Sequence, residues 1–438
     1  MTISTSQSTP PAVRDGAPRR VAVVGGGVAG LVSADLLRLA GHQVVVFEAE
    51  DRPGGHACSV DVAIPEGGTV PADVGFMVFN DRNYPHFEAL IDRLGVRGRV
   101  SDMSFSVSDG ADFEYAGHGL GALFANRRHL VDRQFLKMVG EYVRFSREGK
   151  RLLASDDDPT LAAWLEAQRF SRHFIDRLIV PQATAVWSAD PAQMWDFPAR
   201  FLLQFFANHG MLSLVGRPTW HTVAGSSARY VRAITRGLDV RVSSPVARVA
   251  RLEGGGVEIT VAGAARGERF DEAVLACHSD QALSMLAEPT PAEREVLGAI
   301  AYLPSEVVLH GDASLLPRRA AARASWNAHL TEPAKPLPTV TYDLKRLQGL
   351  PTRREILVTL NRTEDIDAAL IDARFSFSHP VFSTAGVAAQ RRHAEISGAD
   401  RIHYAGAYWR WGFHEDGVWS AHRVADAFGA AVPTGGAS

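Results

Sequence analysis

Three glycines and one carboxylate near the start of the chain have the types and spacing of a dinucleotide-binding site. Gly25, Gly27 and Gly30 follow the apolar run 21–24, and Glu48 closes the next apolar run. Gly25 permits a sharp turn, Gly27 lets backbone N–H groups approach a pyrophosphate, and Gly30 lets a helix pack closely on a sheet. Glu48 stands where an acid binds a ribose hydroxyl. The alternative is an ordinary glycine-rich turn between a strand and a helix.

The acid also bears on the choice of dinucleotide. A carboxylate at the position of Glu48 would repel a 2′-phosphate, so the pattern favours FAD or NAD over NADP. The helix after the glycines would present its N-terminal N–H groups and its dipole to the phosphates.

Composition excludes several other classes of function. Forty-six basic and 49 acidic residues give a net charge of −3, so nucleic acid is not an expected partner. The two cysteines, Cys58 and Cys277, are far apart, which indicates neither a disulfide framework nor a metal site and favours the cytoplasm. No apolar run reaches the length of a membrane span, about 18 to 20 residues.

The surrounding elements alternate between helical and strand patterns. Residues 84–170 have mainly helical spacing, and residues 198–214 form an apolar helical pattern. Strands are predicted at 240–249, 256–261, 273–277 and 401–406, and a last helix from Gly417. Because nucleotide-binding elements occur at both ends, we predict a discontinuous first domain of residues 19–83, 218–290 and 396–430. Residues 84–217 and 291–395 would form a substrate domain, and residues 1–18 a disordered tail.

Four segments together resemble the flavin amine oxidase and phytoene desaturase superfamily. They are residues 24–30, 52–55, 244–249 and 412–420. The resemblance implies an α/β fold, in which a two-part Rossmann-type (glutathione-reductase-like) FAD domain carries an inserted α+β substrate domain. It also implies that FAD is the cofactor.

A narrower resemblance covers nearly the whole chain. Residues 75–85, 276–283, 406–409 and 412–417 are similar to a bacterial group of predicted FAD-binding oxidoreductases. This group is often associated with cyclopropane-fatty-acid-synthase-like methyltransferases, and some members are linked to desaturation of methylated fatty acyl chains. It therefore implies a fatty-acyl or other hydrophobic substrate and a methyltransferase as a possible partner.

The residues expected to hold FAD follow from the glycine pattern and the resemblance. They are Gly25, Gly27, Val28, Ala29, Gly30, Glu48, Ala49, Arg52, Gly54, Gly55, His56, Gly75, Phe76, Val246, Gly406, Phe413, Glu415, Asp416, Gly417 and Val418. The alternative roles are N-capping of the last helix for Glu415 and Asp416, and a phosphate or backbone contact or a covalent flavin link for His56.

The chain departs from the superfamily at three positions. Residues 301–310 lack the lysine that amine oxidases typically use to hold a water at the flavin, and Phe413 replaces a tyrosine of their aromatic cage. Ala407 stands where an acid commonly binds the ribityl chain, so Glu415 or Asp416 would have to supply that contact. The first two departures argue against amine oxidation.

His414 is the predicted catalytic base, because imidazole can take a proton from carbon near neutral pH. Its alternative role is to orient the turn or the flavin. The leading hypothesis is an FAD-dependent oxidoreductase that desaturates, saturates or isomerises a C–C or C=C bond of a lipid-like substrate. The alternatives are an amine or amino-acid oxidase, and a non-catalytic flavin-holding accessory protein of a lipid methyltransferase. The apolar segment 198–214 is interpreted as buried core, or else as a tunnel wall or a shallow peripheral membrane contact for lipid entry.

Overall fold

The computed structural model describes residues 17–187, 194–213, 216–333, 335 and 337–430, so nearly all of the predicted tail lies outside the described residues. The strands, numbered in chain order, are β1 (Arg20–Val24), β2 (Gln43–Phe47), β3 (Ser59–Ala63), β4 (Thr69–Asp73), β5 (Phe79–Asn80), β6 (Gly98–Val100), β7 (Phe105–Ser108), β8 (Glu114–Ala116), β9 (Trp220–Val223), β10 (Asp239–Arg241), β11 (Val246–Arg251), β12 (Val257–Val261), β13 (Glu268–Phe270), β14 (Glu272–Leu275), β15 (Tyr302–His310), β16 (Trp326–His329), β17 (Val340–Asp343), β18 (Leu357–Leu360), β19 (Ile371–Pro380) and β20 (Ile402–Tyr404). The α-helices are α1 (Val28–Leu39), α2 (Pro85–Arg93), α3 (Leu120–Leu123), α4 (Arg133–Leu153), α5 (Leu161–Ala167), α6 (Arg172–Phe174), α7 (Val180–Trp187), α8 (Ala199–Asn208), α9 (Ala228–Thr235), α10 (Ser279–Met285), α11 (Pro291–Gly298), α12 (Leu344–Gln348), α13 (Thr384–Gln390), α14 (His393–Ile396) and α15 (His414–Ala427).

A five-stranded parallel sheet joins the two ends of the chain. Its strand order is β10-β2-β1-β14-β20, and every pairing is parallel. Val21 and Val23 of β1 pack with α1 and α15 on one face, whereas Ala22 and Val24 face a second apolar cluster on the other. Since both faces are covered, the central residues of β1, β2 and β14 are apolar, whereas the edge strand β10 carries Asp239 and Arg241. The predicted α/β fold with a discontinuous Rossmann-type sheet is confirmed.

A second sheet lies outside the parallel one and has seven strands. Its order is β19-β15-β18-β17-β16-β7-β8, and most of its pairings are antiparallel. Helices α4, α5 and α8 form an apolar core with it, in which Phe135, Phe145 and Phe206 are buried beside Val107 of β7. This sheet and its helices form an α+β unit within the predicted substrate domain, whose boundaries stay a prediction.

The structure differs from the sequence predictions at two segments. Residues 84–170 contain α2, α4 and α5 as expected, but also the short strands β6, β7 and β8. The predicted strand 240–249 is two strands in different sheets, because Ser243 adopts a positive φ of 48° and turns the chain.

The apolar segment at 198–214 is a helix only over α8. Its Leu202, Leu203, Phe205 and Phe206 are buried, which favours the interpretation of this segment as core. Residue 214 lies outside the described residues. Across the described ranges, every helix is too short or too polar to cross a bilayer.

Candidate active site

The glycine turn after β1 has the shape of a phosphate cradle. Gly25 has a φ of 107°, and a Cβ on Gly30 would lie 1.9 Å from the carbonyl oxygen of Gly25, so both positions need glycine. A Cβ on Gly27 would meet no atom within 4 Å. Gly27 is the N-cap of α1, and no side chain of the described residues caps this helix. The first N–H groups of α1 therefore face open space, as a bound pyrophosphate requires.

Glu48 lies at the end of β2, beside this turn. Its Oε2 accepts a hydrogen bond from the N–H of Gly26 at 2.7 Å, and its Oε1 accepts one from Glu50 at 2.9 Å. Each carboxylate oxygen retains a second lone pair, which can accept a ribose hydroxyl. The N–H of Ser244 donates to the carbonyl of Glu48 at 2.8 Å, which brings Val246 at the start of β11 to the same end of the sheet. Ala49 follows Glu48 and is exposed.

The segment Arg52 to His56 packs directly on the glycine turn. The N–H of Gly54 donates to the carbonyl of Gly26 at 2.8 Å, and a Cβ on Gly55 would lie 3.2 Å from Gly27 Cα. Arg52 extends over this loop, where its Nη1 donates to the carbonyl of Gly55 at 3.3 Å.

Residues 73–76 pack against His56, next to the segment that contacts the glycine turn. The N–H of Phe76 donates to the carbonyl of His56 at 2.7 Å, and a Cβ on Gly75 would lie 2.3 Å from that carbonyl oxygen. Phe76 in turn stacks on His414 with ring centroids 3.6 Å apart. The loop after β4 therefore links the first cofactor segments to the N-terminus of α15.

The N-terminus of α15 closes the cradle against α1. A Cβ on Gly417 would lie 2.7 Å from Cγ1 of Val28 and 3.8 Å from Cβ of Ala29. Val418 is fully buried. The N–H of Gly406 donates to Oγ of Ser420 at 2.9 Å, which ties the end of β20 to the same helix. Two helix N-termini from opposite ends of the chain thus meet at the carboxyl edge of the parallel sheet.

The two acids at the start of α15 both hold helix N-termini. Glu415 accepts hydrogen bonds at the start of α2, from the N–H of Phe87 at 2.9 Å and from that of His86 at 3.2 Å. Asp416 accepts from the N–H of Phe413 at 2.9 Å and lies 3.5 Å from Arg410. Burial raises the pKa of Asp416 to about 7, against the opposing effect of Arg410. Asp416 therefore makes the predicted N-cap contact of the last helix, whereas Glu415 caps α2 instead.

His414 is surrounded by core side chains. Its Nε2 lies 2.6 Å from the hydroxyl of Tyr230, and its ring stacks on Phe76 with Phe87 at its edge. Burial lowers its pKa to about 3. Because its Nε2 is already bonded to the hydroxyl of Tyr230, this arrangement suits the second of the two predicted roles of His414, the orientation of the turn, and both roles stay predictions.

The structure adds a polar pair that the sequence reasoning missed. His379 of β19 lies beside His56, with ring centroids 5.3 Å apart, and Phe377 of the same strand lies 4.9 Å from His56. Nε2 of His56 and Nδ1 of His379 are buried and have no hydrogen-bond partner among the described residues. The alternation 375–379, Phe-Ser-Phe-Ser-His, could have revealed that Phe375, Phe377 and His379 share one face of a strand.

Both histidines of this pair are uncharged near neutral pH. Burial lowers the pKa of His379 to about 4, with a smaller contribution from His278. Burial also lowers the pKa of His56 far below its usual value, and His379 lowers it further. Each ring can therefore donate one hydrogen bond and accept one.

Phe413 and the four lysines bear on the departures from the amine oxidase pattern. Phe413 stacks on Phe205 of α8 with centroids 5.0 Å apart, so it faces the helical layer. The chain has four lysines, and none of their ion pairs within the described residues involves a predicted site residue. Lys137 and Lys150 are exposed on α4, and Lys335 and Lys345 form ion pairs with Glu364 and Glu355.

The residues that line the glycine turn and the start of α15 fit a flavin dinucleotide. Open space lies at Gly27, and Glu48 is available for a ribose hydroxyl. The N-terminus of α15 can stabilise negative charge on the flavin ring. FAD would extend from Glu48 and Val246, through the phosphates at Gly27, to the region between Gly417 and His56.

The sequence matches the family model of flavin containing amine oxidoreductase over residues 28–310. Among curated proteins, it is 27% identical to the carotenoid phi-ring synthase of Streptomyces griseus over 295 residues, which are 62% of this chain and 54% of that protein. The chain spans about half the length, or less, of the first curated relatives that it matches.

Two solved structures have the same fold over nearly the whole chain. Cyclohexylamine oxidase from Brevibacterium oxydans IH-35A has a TM-score of 0.68 at 16% identity, with 94% of this chain and 99% of that chain covered. The CLA-producing fatty acid isomerase from P. acnes has a TM-score of 0.64 at 15% identity, with 93% and 97% covered. At these identities the likeness concerns the fold.

Proposed function

The chain belongs to the family of flavin-containing amine oxidoreductases, which makes it an FAD-dependent oxidoreductase by family, and we propose that it acts on a C–C or C=C bond of a hydrophobic, lipid-like substrate. The proposed reaction is a desaturation, a saturation or an isomerisation. In the desaturation direction one carbon loses a hydride, its neighbour loses a proton, and a double bond forms between them.

The observation that carries this proposal is the face of β19 that packs against the loops at residues 52–58 and 73–78, which contain predicted FAD contacts. Phe375 and Phe377 belong to an apolar cluster with Cys58, Met77 and Val78, and this cluster joins the second sheet to the loops that hold the cofactor. The polar groups noted beside these phenylalanines are the neutral rings of His56 and His379. A site of this composition favours an alkyl or alkenyl chain over a cationic amine.

Each group has a distinct part in the proposed reaction. When bound, FAD accepts a hydride from carbon. His379 and His56 offer the free ring nitrogens that can hold or move the proton. His414, locked by Tyr230 and Phe76, orients the start of α15. The proposed cofactor contacts stay those predicted from the sequence, with Glu415 and Asp416 acting through the helices that they cap.

Two of the relatives support a hydrophobic substrate. One solved neighbour is a fatty acid isomerase and one curated relative is a carotenoid phi-ring synthase, so the fold accommodates hydrophobic substrates. Other solved neighbours are amine oxidases, so amine oxidation is the competing hypothesis. The proposed departure from amine oxidation rests on β15, which carries Ser305 and Glu306 but no lysine.

The test is the flavin absorbance of the purified protein, followed without oxygen as substrates are added. We expect free and esterified unsaturated or methyl-branched fatty acids to change the flavin spectrum, and simple amines and amino acids to leave it unchanged. Rapid bleaching by amines, with no response to acyl chains, would overturn the proposal. A protein without extractable flavin would overturn its premise.

A series of variants tests which histidine takes the proton from the substrate. His379→Ala is expected to slow the spectral response at least tenfold without loss of bound flavin, whereas His118→Ala, at an exposed loop position, should behave as the parent protein. If His414→Ala slows the reaction as much as His379→Ala while its flavin content and melting temperature stay unchanged, His414 is the base after all. The accessory hypothesis predicts that no variant and no substrate alters the flavin spectrum.

A further inference from the structure

One stretch of the surface carries most of the exposed apolar side chains of the described residues. Five of the nine large apolar side chains that are exposed lie within residues 120–143. Val131 is 82% exposed and Leu120 76%, and Leu130, Leu136 and Val143 are also exposed. Scattered single residues of this kind are normal on a protein surface, but a concentrated group marks an interaction site.

The local structure fixes these side chains in outward positions. Phe135 and Met138 of α4 are buried in the helical core, and helical spacing turns Leu136 and Val143 to the opposite face. In the turn before α4, His129 is buried and stacks on Phe135 with centroids 4.0 Å apart, which leaves Leu130 and Val131 outside. The core is filled without them, so their exposure is not a consequence of poor packing.

Cationic side chains surround the same residues. Arg127, Arg128, Arg133 and Lys137 are exposed. Arg128 lies 3.4 Å from Asp112, whereas Arg127, Arg133 and Lys137 form no ion pair within the described part of the chain. The acid nearest in sequence, Asp132, accepts hydrogen bonds from N–H groups at the start of α4. Residues 120–143, called the basic apolar face below, thus combine apolar projections with uncompensated positive charge.

We propose that the basic apolar face docks the protein onto an anionic lipid bilayer. Its leucines and valines would enter the boundary between headgroups and acyl chains, and its arginines and lysine would meet lipid phosphates. A second copy of the chain fits this face less well, because a twofold contact would place the same cations opposite one another. An acidic protein partner would satisfy the charges and is distinguished by the experiment below.

The position of the face relative to the candidate site agrees with this role. Phe145 of α4 contacts Phe206 of α8, and the adjacent Phe205 stacks on Phe413 at the start of α15. One layer of helices therefore separates the proposed bilayer surface from the candidate site. Docking itself is inferred from the surface alone and does not depend on the proposed substrate.

The test is co-sedimentation of the purified full chain with lipid vesicles, in the absence of any substrate. We expect binding to vesicles of phosphatidylcholine mixed with phosphatidylglycerol, weak binding to phosphatidylcholine alone, and loss of binding as salt is raised. The double variant Leu130→Glu/Val131→Glu and the double variant Arg127→Glu/Lys137→Glu should each bind at least about tenfold more weakly.

A matched control is Val100→Glu, since Val100 is 67% exposed but lies outside the face; it should bind as the parent protein does. Flavin content and melting temperature report folding of each variant, and if the apolar variant fails to fold, the charge variant carries the test. Equal binding to neutral vesicles, unchanged binding by both double variants, or no vesicle binding would overturn the proposal. So would a stable dimer that the Leu130→Glu/Val131→Glu variant dissociates. None of these results bears on the flavin spectra that test the proposed function.

Discussion

Three carboxylates at the candidate site each accept hydrogen bonds from backbone N–H groups. Glu48 holds the glycine turn through Gly26, Glu415 holds the start of α2 through Phe87, and Asp416 holds the start of its own helix through Phe413. A carboxylate at a helix N-terminus satisfies donors that the helix itself leaves free. These acids fix the backbone of the candidate site, so FAD would meet N–H groups whose positions are already set.

Asp416 should make stability depend on pH. Its folded pKa of about 7 lies above the ordinary value of 3.8, so the folded state holds a proton that the unfolded state has lost. The free energy of unfolding should then fall as pH rises from about 4 to 7, by at most about 1.4 kcal/mol per pH unit. Asp416→Asn keeps the bond from Phe413 and carries no charge.

Denaturant unfolding of the parent protein and of Asp416→Asn at several pH values measures this effect. The variant should gain stability relative to the parent as pH rises through the window. A difference between the two proteins that does not change from pH 4 to pH 8 would contradict the prediction.

Gly27 and Gly30 should respond differently to the same substitution. A Cβ at Gly30 meets the carbonyl of Gly25, so Gly30→Ala should destabilise the protein by about 1 to 3 kcal/mol and abolish flavin binding. A Cβ at Gly27 enters open space, so Gly27→Ala should retain the stability of the flavin-free protein and weaken only its binding of FAD. Thermal unfolding and FAD titration of both variants measure the two effects. Equal loss of stability in both would show that the space at Gly27 is not reserved for a ligand.

At the scale of elements, the decisive contact is between α1 and α15. Both helices pack on the same face of the parallel sheet, and their N-termini meet where Gly417 lies against Val28. The second sheet approaches from the other side through β19, whose phenylalanines and His379 face the cofactor loops. The site thus lies where elements of the two sheets converge, as is common for ligand sites between structural units.

This contact predicts a compensating pair of substitutions. Gly417→Ala places a Cβ 2.7 Å from Cγ1 of Val28 and should push the two helices apart, which lowers FAD affinity at least tenfold. Val28→Ala removes the obstructing methyl group, so the double variant should recover most of that affinity. FAD titration of both single variants and the double variant gives the coupling between the two sites. Strictly additive effects would contradict a direct contact.

At the scale of the whole molecule, one small-molecule site connects parts of the chain that are distant in sequence. The parallel sheet takes strands from residues 20–47, 239–275 and 402–404, and the predicted contacts of FAD lie within or after each of these segments. A ligand that binds only the folded state stabilises it by mass action. The adenine half of FAD is expected at Glu48 and Val246, and the flavin half near α15.

Both halves should be needed for full stabilisation. After removal of flavin, free FAD at 100 times its Kd should raise the free energy of unfolding by about 2.7 kcal/mol. FMN at the same concentration should have little effect, because it lacks the adenosine that Glu48 and Val246 would hold. Thermal shift measurements with FAD, FMN and NADP test this. If FMN stabilised the protein as much as FAD does, the adenosine half would contribute no affinity, and the prediction for Glu48 and Val246 would be wrong.

The sequence by itself determined the features that depend on local geometry. Gly25, Gly30 and Glu48 could be assigned because a turn off a strand, close helix packing and an acid at a fixed spacing are encoded within a short segment. The same holds for helix α15, although it begins at His414 rather than at Gly417. The resemblance then added the FAD-domain fold, which the strand order confirms.

Only the tertiary structure decided the features that depend on contacts between distant residues. His414 has the same sequence signal whether it acts as a base or as a support, and its contacts with Tyr230 and Phe76 come from distant segments. His379 lies beside His56 only because β19 pairs with β15. Local patterns specify which groups are available, whereas burial and the neighbours supplied by other segments set their pKa and their partners, and a linear pattern contains neither.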